Sequence, residues 1–476
     1  MKKRFVFITA RRKELRGGNM KKRRLMLCSI ISLIMVFVMA VPMTVSAADT
    51  AKHVKDDVGL KAAVKAGGEI VLDADITASI EIPTGVTVTL DLNGKTLTNE
   101  DKEDTITNNG TLTVKGNGTV DNVSHGKGAL VNKGTATING GTFTRSQEKG
   151  DSPTNDGGNS WYVIYNQGTL TVTGGTVRNT SGYSSLVCNK NGTLNVNGGN
   201  FYNNFIALKN DDNGIMNITA GTIESKEQAV QNWYNLDVTG GTFNGDVITW
   251  SYGNSQGTAT IGESAVIDGN VVAVQYDRNT AAKSTVSING GTIKGTIEKG
   301  EYVKDTGINP VAPSAATSII TVSGGTFAKK PESAFIAQGR IAIEYVQGGN
   351  DGKYYVGTNR EIQAIVDSAE AGDTIDVIHG KADLTLTKPG VTIGNNGAEV
   401  VVNGQPLTDG HTTVIKEVDP TKPSQDQTQK PSDTAKADKS AKTGDDFNLF
   451  AVGGVALAAI IAMAAVAITG RRHRQR

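Results

Sequence analysis

The chain has 476 residues, with 48 Lys and Arg against 47 Asp and Glu, so its net charge of +1 excludes a strong overall field for nucleic acid or anionic surfaces. Glycine contributes 57 residues, well above its usual share of about 7%. Without collagen's fixed three-residue period, so much glycine indicates many turns and many short strands. Cys28 lies in an apolar leader, so the remaining chain keeps only Cys188, which is interpreted as a buried thiol with no intrachain disulfide partner.

The N-terminal segment has the pattern of an export signal. Four basic residues at 21–24 precede a charge-free stretch that ends in Val45-Ser46-Ala47. A basic region, an apolar region and small residues at the end are typical of a secretory signal peptide. We therefore predict a signal peptide over residues 1–47, with Met20 as the natural start, and keep a retained N-terminal anchor as the alternative.

The C-terminal segment has three successive parts. Residues 416–439 are rich in Lys, Asp, Pro, Ser and Gln and predict a disordered linker, because such a segment cannot bury enough apolar surface to fold. The residues Ser440, Ala441, Lys442, Thr443 and Gly444 follow. The charge-free run 447–470 is long enough for a transmembrane helix, and the basic tail 471–476 belongs on the cytoplasmic side.

This C-terminal arrangement resembles the cell-wall sorting signal of sortase-anchored Gram-positive surface proteins. The common motif of that family is Leu-Pro-x-Thr-Gly, and Ser440-Ala441 stand here in place of Leu-Pro. The resemblance implies that a sortase cleaves between Thr443 and Gly444 and joins the Thr443 carbonyl to an amine of the peptidoglycan precursor. The implied location is extracellular, on the cell wall. The alternative is a single-pass membrane anchor that retains helix 447–470.

The middle of the chain is a repeat array. Two small residues, a polar residue and an apolar residue recur at 140–143, 174–177, 198–201, 220–223, 240–243, 290–293 and 324–327. Successive copies are separated by 34, 24, 22, 20, 50 and 34 residues. The three short spacings give a base period of about 20 to 24 residues, and the longer spacings indicate insertions or a degenerate copy. Alternating strands such as Thr111-Leu112-Thr113-Val114 precede these copies. Three strands per unit predict one rung of a parallel β-helix.

A column of asparagines supports this assignment. The segments that precede the alternating strands end in Asn132, Asn166, Asn189, Asn210 and Asn232, at spacings of 34, 23, 21 and 22 residues. Asn accepts the backbone conformation of a tight corner, and its amide can bond to the same residue one rung away. We therefore predict a structural Asn ladder.

The predicted fold is all-β: a three-stranded parallel β-helix of roughly nine or ten rungs with short helical caps, beside an N-terminal signal helix and a C-terminal transmembrane helix. Residues 48–100 would form the N-terminal cap and first rungs, 101–350 the repeat array, and 351–415 a C-terminal cap or small module. Helices are expected at 57–67 and, after a capping box at 358–361, as far as Ala369. The array resembles the right-handed, pectate-lyase-like β-helix of secreted and wall-attached bacterial proteins.

The sequence shows no convincing catalytic or metal-binding set. The five histidines are scattered and lack metal-ligand spacing, and we found no matched pair of carboxylates on successive rungs. The acidic corner at 211–214 is interpreted as a turn, with a calcium loop as the alternative. We therefore predict no catalytic residue, no metal and no cofactor.

Aromatic residues are the candidate binding groups. They concentrate between residues 161 and 276, including 161–165, 201–205, 233–234, 250–252 and 276. The residues expected at outward positions of the Asn-bearing strands are Tyr165, Lys209, Gln231, Trp250 and Gln275. Rings beside amides and a lysine are typical of a sugar-binding groove, because rings pack on apolar sugar faces and polar groups bond to hydroxyls. The alternative is that the rings only cover corners or stack on one another.

The combined prediction is a non-enzymatic, wall-anchored surface protein that presents a β-helix for adhesion. Its expected partners are sortase, the peptidoglycan precursor and glycans or host matrix proteins, and the membrane only before anchoring. One alternative is a polysaccharide lyase or glycoside hydrolase on the same fold. The other is a passive stalk without a ligand.

Overall fold

The structure is a computed structural model that describes residues 51–147, 161–179, 184–253, 255–276, 282–350 and 352–415. The predicted signal peptide, linker, sorting motif and transmembrane segment lie outside these residues. Within the described ranges, no helix is both long and apolar enough to cross a bilayer.

Strands dominate the described chain from its start. In the first half they are β1 (Lys52–Val54), β2 (Gly68–Leu72), β3 (Ile76–Thr77), β4 (Ile80–Ile82), β5 (Thr87–Asp91), β6 (Lys95–Thr98), β7 (Ile106–Asn108), β8 (Thr111–Lys115), β9 (Gly118–Asp121), β10 (Leu130–Asn132), β11 (Thr135–Ile138), β12 (Thr142–Thr144), β13 (Ile164–Asn166), β14 (Thr169–Val172), β15 (Thr176–Arg178) and β16 (Ser185–Lys190). Helix α1 (Asp57–Ala66) lies between β1 and β2.

Several later strands bend around a corner and continue into the next sheet. The strands up to the end of the array are β17 (Thr193–Asn203), β18 (Ile206–Asp211), β19 (Ile215–Asn232), β20 (Asn235–Val238), β21 (Thr242–Tyr252), β22 (Ser255–Gln256), β23 (Thr258–Ile261), β24 (Val266–Asp268), β25 (Val271–Gln275), β26 (Thr285–Ile293), β27 (Ile297–Val303), β28 (Gly307–Val311) and β29 (Ile319–Phe327). A 3-10 turn at Ser333–Phe335 follows.

The predicted parallel β-helix is confirmed as an all-β parallel β-solenoid of about 9 turns. Three parallel sheets form its sides. The first contains β2, β5, β8, β11, β14, β20 and β23; the second contains β3, β6, β9, β12, β15 and β24; and the third contains β4, β7, β10, β13, β16, β18, β25 and β27. The strands that turn corners contribute to more than one sheet.

The repeat pattern fixes the register between turns. On the first sheet, Thr111 pairs with Thr135, which pairs with Thr169. One position along, Leu112, Ala136 and Leu170 form an inward column, and all three are buried. Because apolar residues alternate with polar ones, each turn adds its apolar column to a continuous core.

Helix α1 packs at the start of the solenoid and confirms the predicted capping helix. The Asp56 carboxylate accepts a hydrogen bond from the Gly59 amide, 2.7 Å away, which satisfies one of the free amides at the helix start. Leu60 and Val64 are buried against the first turns. Gly67 ends the helix with φ of 70°, a conformation that favours glycine.

A second unit that contains one helix follows the array, and it has its own hydrophobic core around Ile343, Ile362 and Ile393. Its elements are β30 (Ile341–Val346), β31 (Lys353–Gly357), α2 (Asn359–Ser368), β32 (Thr374–His379), β33 (Lys381–Leu384), β34 (Thr392–Asn395), β35 (Glu399–Val402), β36 (Gln405–Leu407) and β37 (Thr412–Val414). The predicted capping box is confirmed, because Thr358 and Glu361 bond reciprocally at the start of α2. β34 and β35 repeat the parallel pairing, and the antiparallel strands β37 and β36 cover their free edges.

Candidate functional site

The third sheet is organised by a continuous file of asparagine side chains. The five predicted residues Asn132, Asn166, Asn189, Asn210 and Asn232 lie one above another, and Asn108 extends the file by one turn. Each Nδ2 donates to the Oδ1 of the next asparagine, from Asn108 onward, at 2.7, 2.7, 2.7, 2.8 and 2.9 Å. All six side chains are fully buried, so their amides serve the fold and do not reach a ligand.

Asn108 was missed in the sequence, although its 24-residue spacing to Asn132 fits the column. A glycine column at the same corner was also missed. Asn132, Asn166, Asn189 and Asn210 each donate to the carbonyl oxygen of the next glycine along the chain, at Gly134, Gly168, Gly192 and Gly214. These glycines bring the carbonyl within reach of the amide and so form the corner between the third and first sheets.

The residue before each asparagine points outward because side chains alternate along a strand. Tyr165 pairs with Cys188, Cys188 with Lys209, and Lys209 with Gln231. The structure therefore brings three of the predicted binding residues, Tyr165, Lys209 and Gln231, into one outward column, with Cys188 between the first two.

The placement of Trp250 and Gln275 in this column was wrong. Gln231 pairs with Ile248, which pairs with Val272, while Trp250 pairs with Val274 and Gln275 with Ser251. A register shift between Gln228 and Val230 moves the later strands relative to the pattern of the earlier turns.

Burial also removes these two side chains from the candidate surface. Trp250 and Gln275 are each only 4% exposed. Trp250 packs with Ile248, Val272 and Val274 in a small cluster that Tyr302 and Ile308 cover, where Ile308 belongs to the antiparallel strand β28. Neither Trp250 nor Gln275 can contact a large ligand in this arrangement.

A groove lies beside the outward column. Its volume is about 310 Å³. Its lining residues are Trp161, Tyr162, Ser184, Ser185, Phe205, Ile206, Lys209 and Gln231. The groove thus combines ring surfaces, hydroxyl groups, one amide and one ammonium group on the outer face of the third sheet.

The rings at one end of the groove form a packed group over Cys188. Tyr162 stacks on Tyr165 with ring centroids 5.6 Å apart, and Trp161 tilts against Tyr162 at 5.2 Å. Burial raises the pKa of the Cys188 thiol to about 11, so the thiol stays protonated at neutral pH. Burial likewise raises the pKa of Tyr162, whose hydroxyl hydrogen-bonds to Cys188. Cys188 therefore supports the ring group and is not an activated nucleophile.

Polar contacts orient the other end. Lys209 Nζ lies 2.9 Å from an Asp211 carboxylate oxygen, and the pair remains partly exposed. Trp233 Nε1 donates to Gln231 Oε1 at 3.1 Å, and Gln231 Nε2 donates to Gln228 Oε1 at 3.3 Å. Lys209 retains two N–H donors beyond the ion pair, because an ammonium group has three.

The acidic corner at 211–214 is built as a turn. Asp212 and Asn213 have φ of 37° and 58°, and Asp212 faces Lys190 at 2.9 Å. The two carboxylates therefore neutralise neighbouring lysines. Within the described ranges, no three His, Cys, Asp or Glu side chains group closely enough to hold a metal ion.

A second aromatic file lies further along the same side. Tyr252, Tyr276 and Tyr302 follow one another on successive turns, with Tyr276 stacked on Tyr302 at 4.4 Å. Tyr252 is 53% exposed and meets Tyr276 edge to face. Tyr276 and Tyr302 each cover one face of the other's ring. Within this file of three tyrosines, only Tyr252 therefore has a largely exposed ring.

Comparison of the chain with protein-family models, curated proteins and solved structures finds no match.

Proposed function

We propose that the chain is a non-enzymatic surface protein of the Gram-positive cell wall. Its support is the pattern of a basic, apolar and small-residue leader before the solenoid and a Thr-Gly motif, apolar run and basic tail after it. In this proposal the solenoid is right-handed, like the pectate-lyase-like helices it resembles, and residues 416–439 hold it away from the wall. Sortase and the peptidoglycan precursor are its anchoring partners.

Anchoring predicts a defined covalent end. After digestion of the wall by a peptidoglycan hydrolase, mass spectrometry should find a C-terminal peptide that ends at Thr443 and carries a peptidoglycan fragment. The variant Thr443→Ala should shift the protein to the membrane fraction, whereas Thr434→Ala, in the linker, should leave anchoring unchanged. Extraction by detergent alone, with residues 447–470 still attached, would instead support a membrane anchor.

The solenoid's proposed role is to bind a glycan in the groove around Trp161 and Lys209. The observation that carries this proposal is the meeting of partly exposed rings, the Gln231 amide and the Lys209 ammonium group in one groove of about 310 Å³. Apolar faces of sugar rings pack on Trp and Phe, while sugar hydroxyls take hydrogen bonds from amides and ammonium groups. The groove lies on the outer face of the third sheet and combines residues from several turns.

A glycan array with the secreted chain tests this proposal. We expect a saccharide hit whose affinity falls at least tenfold in both Trp161→Ala and Lys209→Gln, because each variant removes one kind of contact. Tyr252→Ala is the matched control, since it removes a more exposed ring outside the groove and should keep the affinity.

Three other outcomes would redirect or overturn the proposal. Equal loss in the Tyr252→Ala control would place binding on the second aromatic file. Binding to no saccharide or matrix protein would favour a passive stalk, in which the stacked pairs Tyr162–Tyr165 and Tyr276–Tyr302 serve the fold alone. Turnover of a bound polysaccharide would overturn the non-enzymatic assignment.

A further inference from the structure

A lysine occupies an interior position near the end of the solenoid. The inward column that contains Asn232 continues through Thr249 and Ala273 to Lys299. Lys299 is only 8% exposed. Its Nζ donates to the Ala315 carbonyl oxygen at 2.8 Å and lies 5.8 Å from the centroid of the Phe335 ring. An ammonium group therefore stands where earlier turns place a neutral side chain.

This ammonium group has no counter-ion among the described residues. Among the described residues, Lys299 forms no ion pair, and no Asp or Glu carboxylate lies within 4.0 Å of its Nζ. Burial, and then the nearby charge of Lys283, lower the pKa of Lys299. Burying an unpaired charge costs free energy, and a bound anion would reduce this cost by pairing with the ammonium group.

Lys299 lines a cavity of about 230 Å³. Lys329 and Lys330 contribute two more cations from the exposed segment after β29, and neither forms an ion pair with a described residue. Glu298 and Glu332 also line the cavity, so its positive excess is one charge, with Lys299 as the buried member. Pro310, Pro313 and Phe335 form an apolar wall.

We propose that this cavity binds the oxyanion of an acidic sugar unit, either the carboxylate of a uronate or the phosphate of a sugar phosphate. Lys299 would donate to the oxyanion from the floor, Lys329 and Lys330 would approach it from the rim, and Pro310 and Pro313 would pack on the C–H face of the sugar. The volume is below the range of about 300–1,000 Å³ that drug-sized ligands occupy, which suits a single saccharide unit. This site is separate from the groove at Trp161 and does not depend on it.

Calorimetric titration of the full chain with glucuronate, glucose 1-phosphate and glucose tests the proposal. We expect glucuronate or glucose 1-phosphate to bind and glucose not to bind. The anion with the higher affinity then shows whether the site prefers a carboxylate or a phosphate. Lys299→Met should reduce anion affinity at least tenfold, because it keeps the side-chain volume and removes the charge. The control Lys294→Met, an exposed lysine 2.7 Å from its Asp268 partner, should bind as the unmodified chain does.

Thermal unfolding without ligand separates binding from a purely structural role. We expect Lys299→Met to keep or raise the unfolding temperature, because an unpaired buried charge is removed. The double variant Lys329→Gln/Lys330→Gln changes only exposed side chains and should weaken anion binding severalfold even if Lys299→Met folds poorly. Binding of neither anion, equal binding of glucose, or unchanged anion affinity in the double variant and in Lys299→Met would overturn the proposal.

Discussion

Replacement of Asn189 by alanine is expected to lower the free energy of unfolding by about 4 kcal/mol. The fully buried Asn189 amide donates to Asn210 Oδ1, Gly192 O and Ile215 O, and it accepts from Asn166 Nδ2. Alanine would leave those acceptors without this donor and would open a cavity in the file. Each buried polar group that loses its partner costs about 1–3 kcal/mol, so several losses at one site add to a large effect.

The matched control is Asn195→Ala, on the adjoining first-sheet segment of β17. Asn195 is partly exposed and bonds to neighbouring outward residues, with Asn217 Nδ2 donating to its Oδ1 at 2.9 Å. Water can replace those contacts, so we expect a cost below about 1 kcal/mol. Urea unfolding followed by circular dichroism measures both variants. Equal costs would mean that the buried amide file contributes nothing beyond ordinary strand residues.

The Asn ladder shows why much of this fold can be predicted from the sequence. Stacking turns place equivalent residues side by side, so a residue that the corner requires recurs at the period of the turn. The long spacing of 34 residues between Asn132 and Asn166 does not shift the register, because the two asparagines still pair. The same logic predicted the apolar columns, since side chains at alternate positions of a strand face the core and most of them must be apolar to be buried there.

The candidate surface was harder to predict because outward positions carry no such requirement. Trp250 looks like an exposed ring in the sequence, but the antiparallel strand β28 brings Ile308 over it. That strand pairs in the opposite direction to the array, so the repeat pattern does not report its position. The groove also combines residues from separate turns, such as Tyr162, Ser185 and Phe205, whose proximity depends on how the turns between the sheets are built.

The second prediction concerns the glycine column. It separates two reasons why alanine would lower the free energy of unfolding, which are a clash with the neighbouring turn and a strained backbone. A Cβ added at Gly168 would lie 2.0 Å from the carbonyl oxygen of Gly134, one turn away. That oxygen cannot move freely, because it accepts hydrogen bonds from the Thr169 amide at 2.9 Å and from Asn132 Nδ2 at 3.3 Å. Gly168→Ala must therefore separate two turns or break the corner, and we expect a loss of about 3 kcal/mol in the free energy of unfolding.

Gly85→Ala is the control for this effect. Gly85 has φ of 81°, and a Cβ there would meet no atom within 4 Å, so alanine would cost only the left-handed backbone strain, about 1 kcal/mol. Urea unfolding of the two variants compares close approach with backbone strain in the same protein. If Gly168→Ala costs no more than Gly85→Ala, the turns can move apart at this corner without loss, and the carbonyl that the Asn ladder holds is not a rigid part of the solenoid. If it costs the expected amount, the corner needs glycine because the neighbouring turn occupies the space of a side chain.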